Sequence, residues 1–442
     1  MCPRSGLGNI LNDPHGILAV LACPSLKTID SVLHWYTMSD LDTENDCPTV
    51  RKMQFFWGEI LWDLGRTDTS IFTGIIAFTL WKRQALLCDG YSSASNLQEI
   101  RLAELMSMNI FRKRTLTQMR SGRTLVCMGG FALMGLLNGD REQSLIHLRA
   151  MDSIFPILQP DEHEWLLTSW VDLRIASSGS HPPLLPHYIP QYWLDHELRE
   201  PSELSVLIDH NASLNVRLLG TLAGDTLSSA FKIFRNLHKS TYLLENSLLT
   251  ETLPYAVLFD MIYEICSMDD DSLADGPQAC RALVLTALKL TGWRTAARYV
   301  TQSGEIQIAL LARAKSITSQ TDDIVAAWKQ QASIKSLLWT LTVVFAESAY
   351  FDPDSLPLWK TLLRKTCRAM RIKNVRALQR ALEKFPSLRW WFEVVLTRHW
   401  NDISPPTNVS RWQPLEDLSA PGQKSLPRIR TFPTIFPFQA FV

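Results

Sequence analysis

The stretch around which this chain is organised reads Glu164-Trp-Leu-Leu-Thr-Ser-Trp-Val-Asp-Leu-Arg-Ile-Ala176. Its apolar residues surround almost the whole circumference of a helix, a pattern that is typical of a buried central helix. Asp161 stands three residues before Glu164, which is the spacing of a capping box, and Gly179 follows as a stop signal. The sequence therefore predicts a capped helix that lies inside the protein.

Two charged residues, Asp172 and Arg174, fall within the apolar surface of this helix. A buried charge is costly unless a partner satisfies it, so we expect both side chains to be tied to neighbouring helices. The helix ends ahead of a proline-rich exit, His181-Pro-Pro-Leu-Leu-Pro186.

Two further helices are predicted upstream of the central one. The first, from Thr124 to Leu137, carries the small residues Gly129, Gly130, Ala132 and Gly135. A turn at Asn138-Gly139 follows, and Asp140 with Gln143 has the spacing of a cap for the second helix. That helix repeats apolar residues at three- and four-residue steps, namely Leu145, Leu148, Met151 and Phe155. One of its faces should therefore pack against the rest of the protein.

The composition favours helix throughout the chain. Of its 442 residues, 46% are hydrophobic and 20% are charged, and only 19 are glycine. Long apolar runs of helical period dominate, so we expect an all-α fold. It would consist of an irregular N-terminus (1–26) and one large irregular multi-helix domain (27–402). Seven prolines after Asn401 predict a proline-rich, extended or disordered tail (403–442).

The same periodicity predicts the individual helices outside the central stretch. They cover residues 28–38, 50–64, 70–87, 97–114, 204–220, 225–244, 253–268, 278–290, 305–317, 355–372, 375–385 and 387–400. One long helix is also predicted over 323–345.

Charge and cysteine usage argue against several classes of function. Lys+Arg and Asp+Glu balance at 44 each, so nucleic-acid contact would need a local patch. The eight cysteines form no CxxC pair, which favours buried reduced thiols over a metal site or a disulfide framework. The longest apolar run, residues 124–137, is too short to cross a bilayer, so we expect no membrane association.

Catalytic motifs are missing from the sequence as well. His163-Glu164 and His196-Glu197 begin like a zinc-protease motif, but neither has the second histidine. No glycine-rich phosphate loop and no G-x-S-x-G elbow occur. We therefore expect no enzyme activity, no cofactor and no metal. An enzyme whose groups are assembled only by the fold remains a third hypothesis, marked by a polar pocket with perturbed pKa values.

Basic residues collect in two places. The first cluster is Arg112, Lys113, Arg114, Arg120 and Arg123; the second is Arg364, Lys365, Arg368, Arg371, Lys373, Arg376 and Arg380. Each could be a nuclear-import signal or a nucleic-acid patch. A solvated helix face is the preferred interpretation, and no aromatic residues interleave the charges as a single-strand platform would require.

The order of these motifs resembles the regulatory domain of fungal-specific transcription factors. The glycine-rich helix, His147-Leu-Arg-Ala-Met151, Trp170-Val-Asp-Leu-Arg-Ile-Ala176 and Pro182-Pro-Leu-Leu-Pro186 carry the resemblance. The C-terminal segment from Phe385 to Trp400 is similar to the closing helices of that family. The resemblance covers about residues 27 to 402 and implies a large all-helical domain.

The resemblance also implies a function and a location. Such a domain regulates transcription in the nucleus through protein partners, self-association or a small effector. In that family a binuclear zinc cluster with CxxC pairs binds DNA, and this chain has none. Three explanations are open: a longer protein, a lost first exon, or a member that reaches DNA only through a partner.

The family motif positions in this chain are His147, Trp170, Asp172 and Arg174. Direct ligand contact is one interpretation of them, and the preferred one is that they hold the core together. Outside the nucleus, the alternative function is a cytoplasmic helical scaffold or ligand-binding protein.

Overall fold

The computed structural model describes residues 60–87, 94–179, 181–189, 202–220, 227–245, 253–268, 276–296, 304–321, 323–386 and 389–403. Within these ranges the regular secondary structure is entirely helical, which confirms the all-α prediction. The predictions for residues 1–26 and 28–38 lie outside the described residues. The same holds for the tail predicted over 403–442, except that Ile403 is described and is the last residue of a helix.

In the described part of the chain, residues 60–67 are helical and are followed by sixteen α-helices. In chain order these are α1 Thr69–Leu87, α2 Ala94–Arg112, α3 Leu116–Met119, α4 Arg123–Leu137, α5 Arg141–Leu158, α6 Glu162–Ser178, α7 Ser202–Leu219, α8 Leu227–Glu245, α9 Leu253–Ser267, α10 Gly276–Ala296, α11 Glu305–Gln320, α12 Ile324–Gln331, α13 Ile334–Phe351, α14 Leu356–Ala369, α15 Val375–Leu382 and α16 Arg389–Ile403. A short 3-10 turn, Pro353–Ser355, joins α13 to α14.

Most predicted helix ends lie within three residues of the observed ones, although α10 continues well beyond its predicted end. One prediction differs in the number of helices: the sequence predicted a single long helix over 323–345. That prediction was wrong, because the chain breaks between α12 and α13 at Ala332 and Ser333.

Tertiary contacts explain this break. The backbone amide of Ser333 donates to the carbonyl of Leu218, at the end of α7, across 3.0 Å. The Ser333 hydroxyl accepts from the amide of Lys335 and so caps α13. Gly220 approaches closely as well: it adopts a left-handed φ of 56°, and a Cβ there would lie 2.5 Å from the Gln331 carbonyl.

The core consists of two groups of buried side chains. The larger group includes α10 and α13, with Trp328, Trp339 and Trp359 fully buried. The smaller group includes residues of α1, α2, α4 and α5. Helix α6 contributes to both, since Leu166 and Leu173 belong to the larger group and Val171 and Ile175 to the smaller. This arrangement confirms that α6 is central and buried.

The α4–α5 hairpin predicted from the sequence is present. Asp140 caps α5 by accepting from the amide of Gln143 at 2.9 Å. At Gly135 the two helices approach so closely that a Cβ would lie 2.8 Å from Ser144 Oγ.

None of the helices in the described part of the chain is both long enough and apolar enough to traverse a bilayer.

Candidate functional site

Both ends of α6 follow local rules. Asp161 accepts from the amide of Glu164, and the Glu164 carboxylate accepts from the amide of Asp161, each at 2.9 Å. At the other end the amide of Gly179 donates to the Ile175 carbonyl at 3.1 Å. The predicted capping box and stop signal are both confirmed, so the start and end of the central helix are encoded locally.

Asp172 is buried, as predicted, but its partner differs from the expected one. Its Oδ2 accepts a 2.7 Å hydrogen bond from the backbone amide of Leu185. Among the described residues no basic side chain lies within ion-pair distance of this carboxyl, so the expected tie to a neighbouring helix was wrong. The reason is the exit segment (residues 181–189), which passes over α6 and presents a backbone amide where a cation was expected.

This environment disfavours the charged form of Asp172. Burial raises the pKa of the carboxyl to about 7, against the opposing effect of the Leu185 and Leu184 amides. The other oxygen, Oδ1, is buried and accepts no hydrogen bond from a described residue. The side chain can therefore hold a proton near neutral pH while it anchors the exit segment.

Arg174 lies in a different environment from Asp172. Its side chain is buried, and the guanidinium lies 4.6 Å from the centre of the half-buried Trp170 ring, one turn earlier on α6. Burial lowers the pKa of Arg174 to about 9. A cation stacked on an aromatic face gains a favourable electrostatic contact, so Trp170 serves the arginine as a structural partner.

His147 contacts a different part of the domain. It lies half-buried on α5, with its ring centre 5.7 Å from that of Phe131 on α4, and burial lowers its pKa. The four motif residues thus contact three separate surroundings: α4, the exit segment and the Trp170 ring. Each of these described contacts is a packing contact within the domain.

The exit segment is attached to α6 at several further points. The carbonyl of Pro186 accepts from Trp165 Nε1 at 3.1 Å and from the Ser169 hydroxyl at 3.4 Å. Tyr188 stacks on Trp165 with ring centres 4.6 Å apart, and its hydroxyl donates to Glu162 at 2.9 Å. This segment therefore forms a strap along the outer side of the central helix.

The strap reaches a group of polar residues that sequence reasoning missed. We define this polar cluster as His187, Lys232, Asn236, Asp260 and Glu264. Lys232 on α8 donates to Asp260 at 3.0 Å and to Glu264 at 2.8 Å, both on α9. Asn236 donates to Asp260 at 3.3 Å, and His187 Nε2 lies 3.6 Å from the same carboxylate.

The electrostatics of the polar cluster favour the charged forms of Asp260 and Lys232. Burial alone would raise the pKa of Asp260, but the neighbouring His187 and Lys232 outweigh it, so the pKa lies below its ordinary value. Burial alone would lower the pKa of Lys232, but its two carboxylate partners outweigh it and the pKa is raised. The cluster can thus hold α8, α9 and the strap together as a partly exposed ion pair network.

The only sequence signals for this cluster were the one-turn spacings of Lys232 with Asn236 and of Asp260 with Glu264. They place each pair on one helix face, but nothing local shows that the two faces meet. No group of three or more His, Cys, Asp or Glu side chains in the described ranges has the arrangement of a metal site.

The first predicted basic cluster is divided by the fold. Arg114 is not part of a basic face, because its side chain is only 4% exposed and forms an ion pair with Asp68. It also donates to Cys127 Sγ at 2.9 Å. Arg112 and Lys113 are exposed. Arg114 therefore joins α4, through Cys127, to the start of α1, through Asp68.

The second basic cluster also has two parts: its first two residues contact acidic residues elsewhere in the chain, and the others are exposed. Arg364 donates to the carbonyl of Asp402, and Lys365 pairs with Asp323 at 2.8 Å. Arg368 and Arg371 are exposed and continue into further exposed cations. We define the basic surface as Arg368, Arg371, Lys373, Arg376 and Arg380.

The cysteines follow the expected pattern where they are described. Cys127, Cys266, Cys280 and Cys367 are all buried, and none of them forms a disulfide bond with a described residue. Burial raises the pKa of Cys127 and Cys367 to about 12, and that of Cys280 to about 11. Such thiols remain protonated and unreactive.

Comparison of the chain with protein-family models, with curated proteins and with solved structures gives no match. The observations that bear on its function are therefore those of its own residues: the central helix, the strap, the polar cluster and the basic surface.

Proposed function

We propose that this chain is the transcription-regulatory domain of a fungal zinc-cluster-type regulator, which acts through protein partners, self-association or a small effector. The observation that carries the proposal is the packing of the motif-bearing segments against one another. Helix α4 packs against both α5 and α6, and the proline-rich strap is bound to α6 through Asp172. The segments whose order resembles the family thus form one structural unit.

The all-helical architecture agrees with this proposal, and so does the role of the motif residues. His147, Trp170 and Asp172 make packing contacts within the unit. A regulatory domain of this type needs a stable helical body whose outer surface is read by partners. Sequence-specific DNA binding would come from a zinc-cluster module or a partner, because the chain itself contains no CxxC pair.

A tethering experiment tests the proposal. The whole chain is fused to a heterologous DNA-binding domain, and transcription from a promoter carrying the matching sites is measured in yeast. We expect a several-fold change in reporter output relative to the DNA-binding domain alone, with the untethered fluorescent fusion located in the nucleus.

The control is the same fusion carrying Arg294→Met. This substitution strands the buried Glu347 carboxylate, whose side chain is 2% exposed, and so disrupts the core. Loss of reporter output with this variant would show that the folded domain is required. An intact chain that stays in the cytoplasm and leaves transcription unchanged would instead favour a helical scaffold or ligand-binding protein.

A further inference from the structure

The basic surface is a local charge excess in a chain that is neutral overall. From Arg368 to Leu382 the sequence contains five cations and no acidic residue, although Lys+Arg and Asp+Glu balance at 44 each over the whole chain. All five side chains belong to exposed residues. The positive potential of this surface therefore comes from its own five cations and not from the net charge of the chain.

The geometry turns these cations outward. On α15 the buried Leu378 and Leu382 face the core. Arg376 and Arg380 lie one turn apart on the opposite side of that helix, and both are exposed. Since Arg368, Arg371 and Lys373 immediately precede this helix, the five charges line one continuous length of chain.

Ion pairing separates this surface from the cations that precede it. Lys360 pairs with Asp402 at 2.6 Å, and Lys365 pairs with Asp323 at 2.8 Å. Arg364 is held by the Asp402 carbonyl. By contrast, none of the five residues of the basic surface forms an ion pair with any residue in the described ranges. Their charges are available to a partner.

Arg371 gives a second, independent observation. It ends α14 in a left-handed conformation with φ 55°. Its amide donates to the Arg368 carbonyl at 3.1 Å, and the amide of Ile372 donates to the Cys367 carbonyl at 2.9 Å. These two bonds are those of a Schellman cap, in which the left-handed position is the one that glycine favours. An arginine here adds a charge where backbone geometry favours a residue without a side chain.

We propose that the basic surface binds the phosphate backbone of double-stranded nucleic acid, without reading its sequence. This goes beyond the regulatory function proposed above, because it gives the chain its own contact with the nucleic acid. Arginine and lysine are the side chains that neutralise backbone phosphates, and each phosphate so bound releases counterions.

The surface fits other anionic partners less well. Protein interfaces are anchored by buried apolar or aromatic side chains, and none of the exposed large hydrophobic residues of the described ranges lies on α14 or α15. Membrane-surface helices likewise need an exposed apolar face for insertion. Single strands bind through stacking on exposed aromatic rings, yet Trp359 and Phe385 beside this surface are buried.

The experiment measures binding of the full chain to a fluorescein-labelled duplex DNA of arbitrary sequence by fluorescence anisotropy, over a range of salt concentrations. The test variant is Arg371→Gly/Arg376→Gln/Arg380→Gln. Glycine suits the left-handed position, and glutamine retains good helix propensity, so the variant should unfold at the wild-type temperature. We expect its affinity to fall at least about tenfold near 0.1 M salt, and its salt slope to decrease by about three.

The matched control removes three exposed cations elsewhere, as Arg149→Gln/Lys315→Gln/Lys329→Gln. It loses the same net charge and should retain most of the wild-type affinity. Equal losses in both variants would overturn the proposal in favour of a general charge effect. Absence of duplex binding by the wild type at low salt would overturn it directly.

Two further measurements separate the alternative partners. Vesicles with anionic lipid should not compete with the duplex for the protein; competition that is lost in the test variant would overturn the proposal in favour of a membrane. A test variant that is excluded from the nucleus but binds the duplex like the wild type would instead identify an import signal. If the tethered chain leaves transcription unchanged but the chain still binds the duplex, only the proposed regulatory function is refuted.

Discussion

Replacement of Asp172 by asparagine should change how the stability of this protein depends on pH. The buried carboxyl accepts from the Leu185 amide, and burial raises its pKa from 3.8 to about 7. Asparagine keeps an oxygen that can accept the same hydrogen bond and cannot ionise. Asp172→Asn therefore resembles the protonated wild type at every pH.

The sign of the effect follows from the raised pKa. In the unfolded chain the carboxyl ionises at its ordinary pKa, whereas in the folded chain it keeps its proton up to about pH 7. Between these values the folded state binds more protons, so the free energy of unfolding falls as pH rises. From about pH 5 to about pH 8 the expected loss from this one group is about 2 to 3 kcal/mol, at about 1.4 kcal/mol per pH unit below the folded pKa.

The assay is urea unfolding followed by tryptophan fluorescence, for wild type and variant, at several pH values across this range. Groups other than Asp172 titrate in both proteins, and their contributions cancel in the difference. We expect the free energy of unfolding of the variant, taken relative to that of the wild type, to rise by about 2 to 3 kcal/mol between the acidic end and the basic end of this range. Asp354→Asn, at an exposed position in the 3-10 turn, serves as the control and should follow the wild-type curve.

Parallel stability curves for wild type and Asp172→Asn would refute the reasoning, since they would mean that the carboxyl ionises equally in the folded and unfolded chains. A variant that loses stability at the basic end would point to a cationic partner of Asp172 instead.

Two substitutions elsewhere test the packing. Gly135→Ala should destabilise the fold by about 1 to 3 kcal/mol, because its Cβ would lie 2.8 Å from a hydroxyl of α5. On the same helix Gly130 has nothing within 4 Å of a built Cβ, so Gly130→Ala should be neutral or stabilising by up to about 1 kcal/mol; equal thermal shifts for the two variants would contradict this contrast. Arg294→Met should cost about 3 to 5 kcal/mol, because it removes both 2.7 Å hydrogen bonds to the buried Glu347. Adding Glu347→Leu should restore part of that loss in urea unfolding, and a double variant no more stable than the single one would count against the buried ion pair.

Features that depend on residues within a turn or two were predictable from the sequence. The burial of α6 follows from apolar residues around its circumference, and its ends follow from Asp161 and Gly179. The glycine-rich α4 and the amphipathic α5 were located for the same reason. Helix periodicity and capping are local interactions, so the chain specifies them without reference to the rest of the fold.

The composition of the candidate site depended on distant segments. The sequence predicted that Asp172 is buried, but its partner is an amide of the strap. Arg114 stood in a run of cations, yet it binds Asp68, 46 residues earlier. The polar cluster combines α8, α9 and the strap, and no local pattern relates their faces.

The break between α12 and α13 shows that secondary structure, too, can depend on contacts with distant residues. The apolar pattern continues through it, but the amide of Ser333 donates to Leu218 on α7 instead of to its own helix. The sequence by itself determined which segments are helical, where most of them end and which faces are buried. Tertiary structure decided which polar groups meet, because a hydrogen-bond partner is fixed only when packing brings two distant segments together.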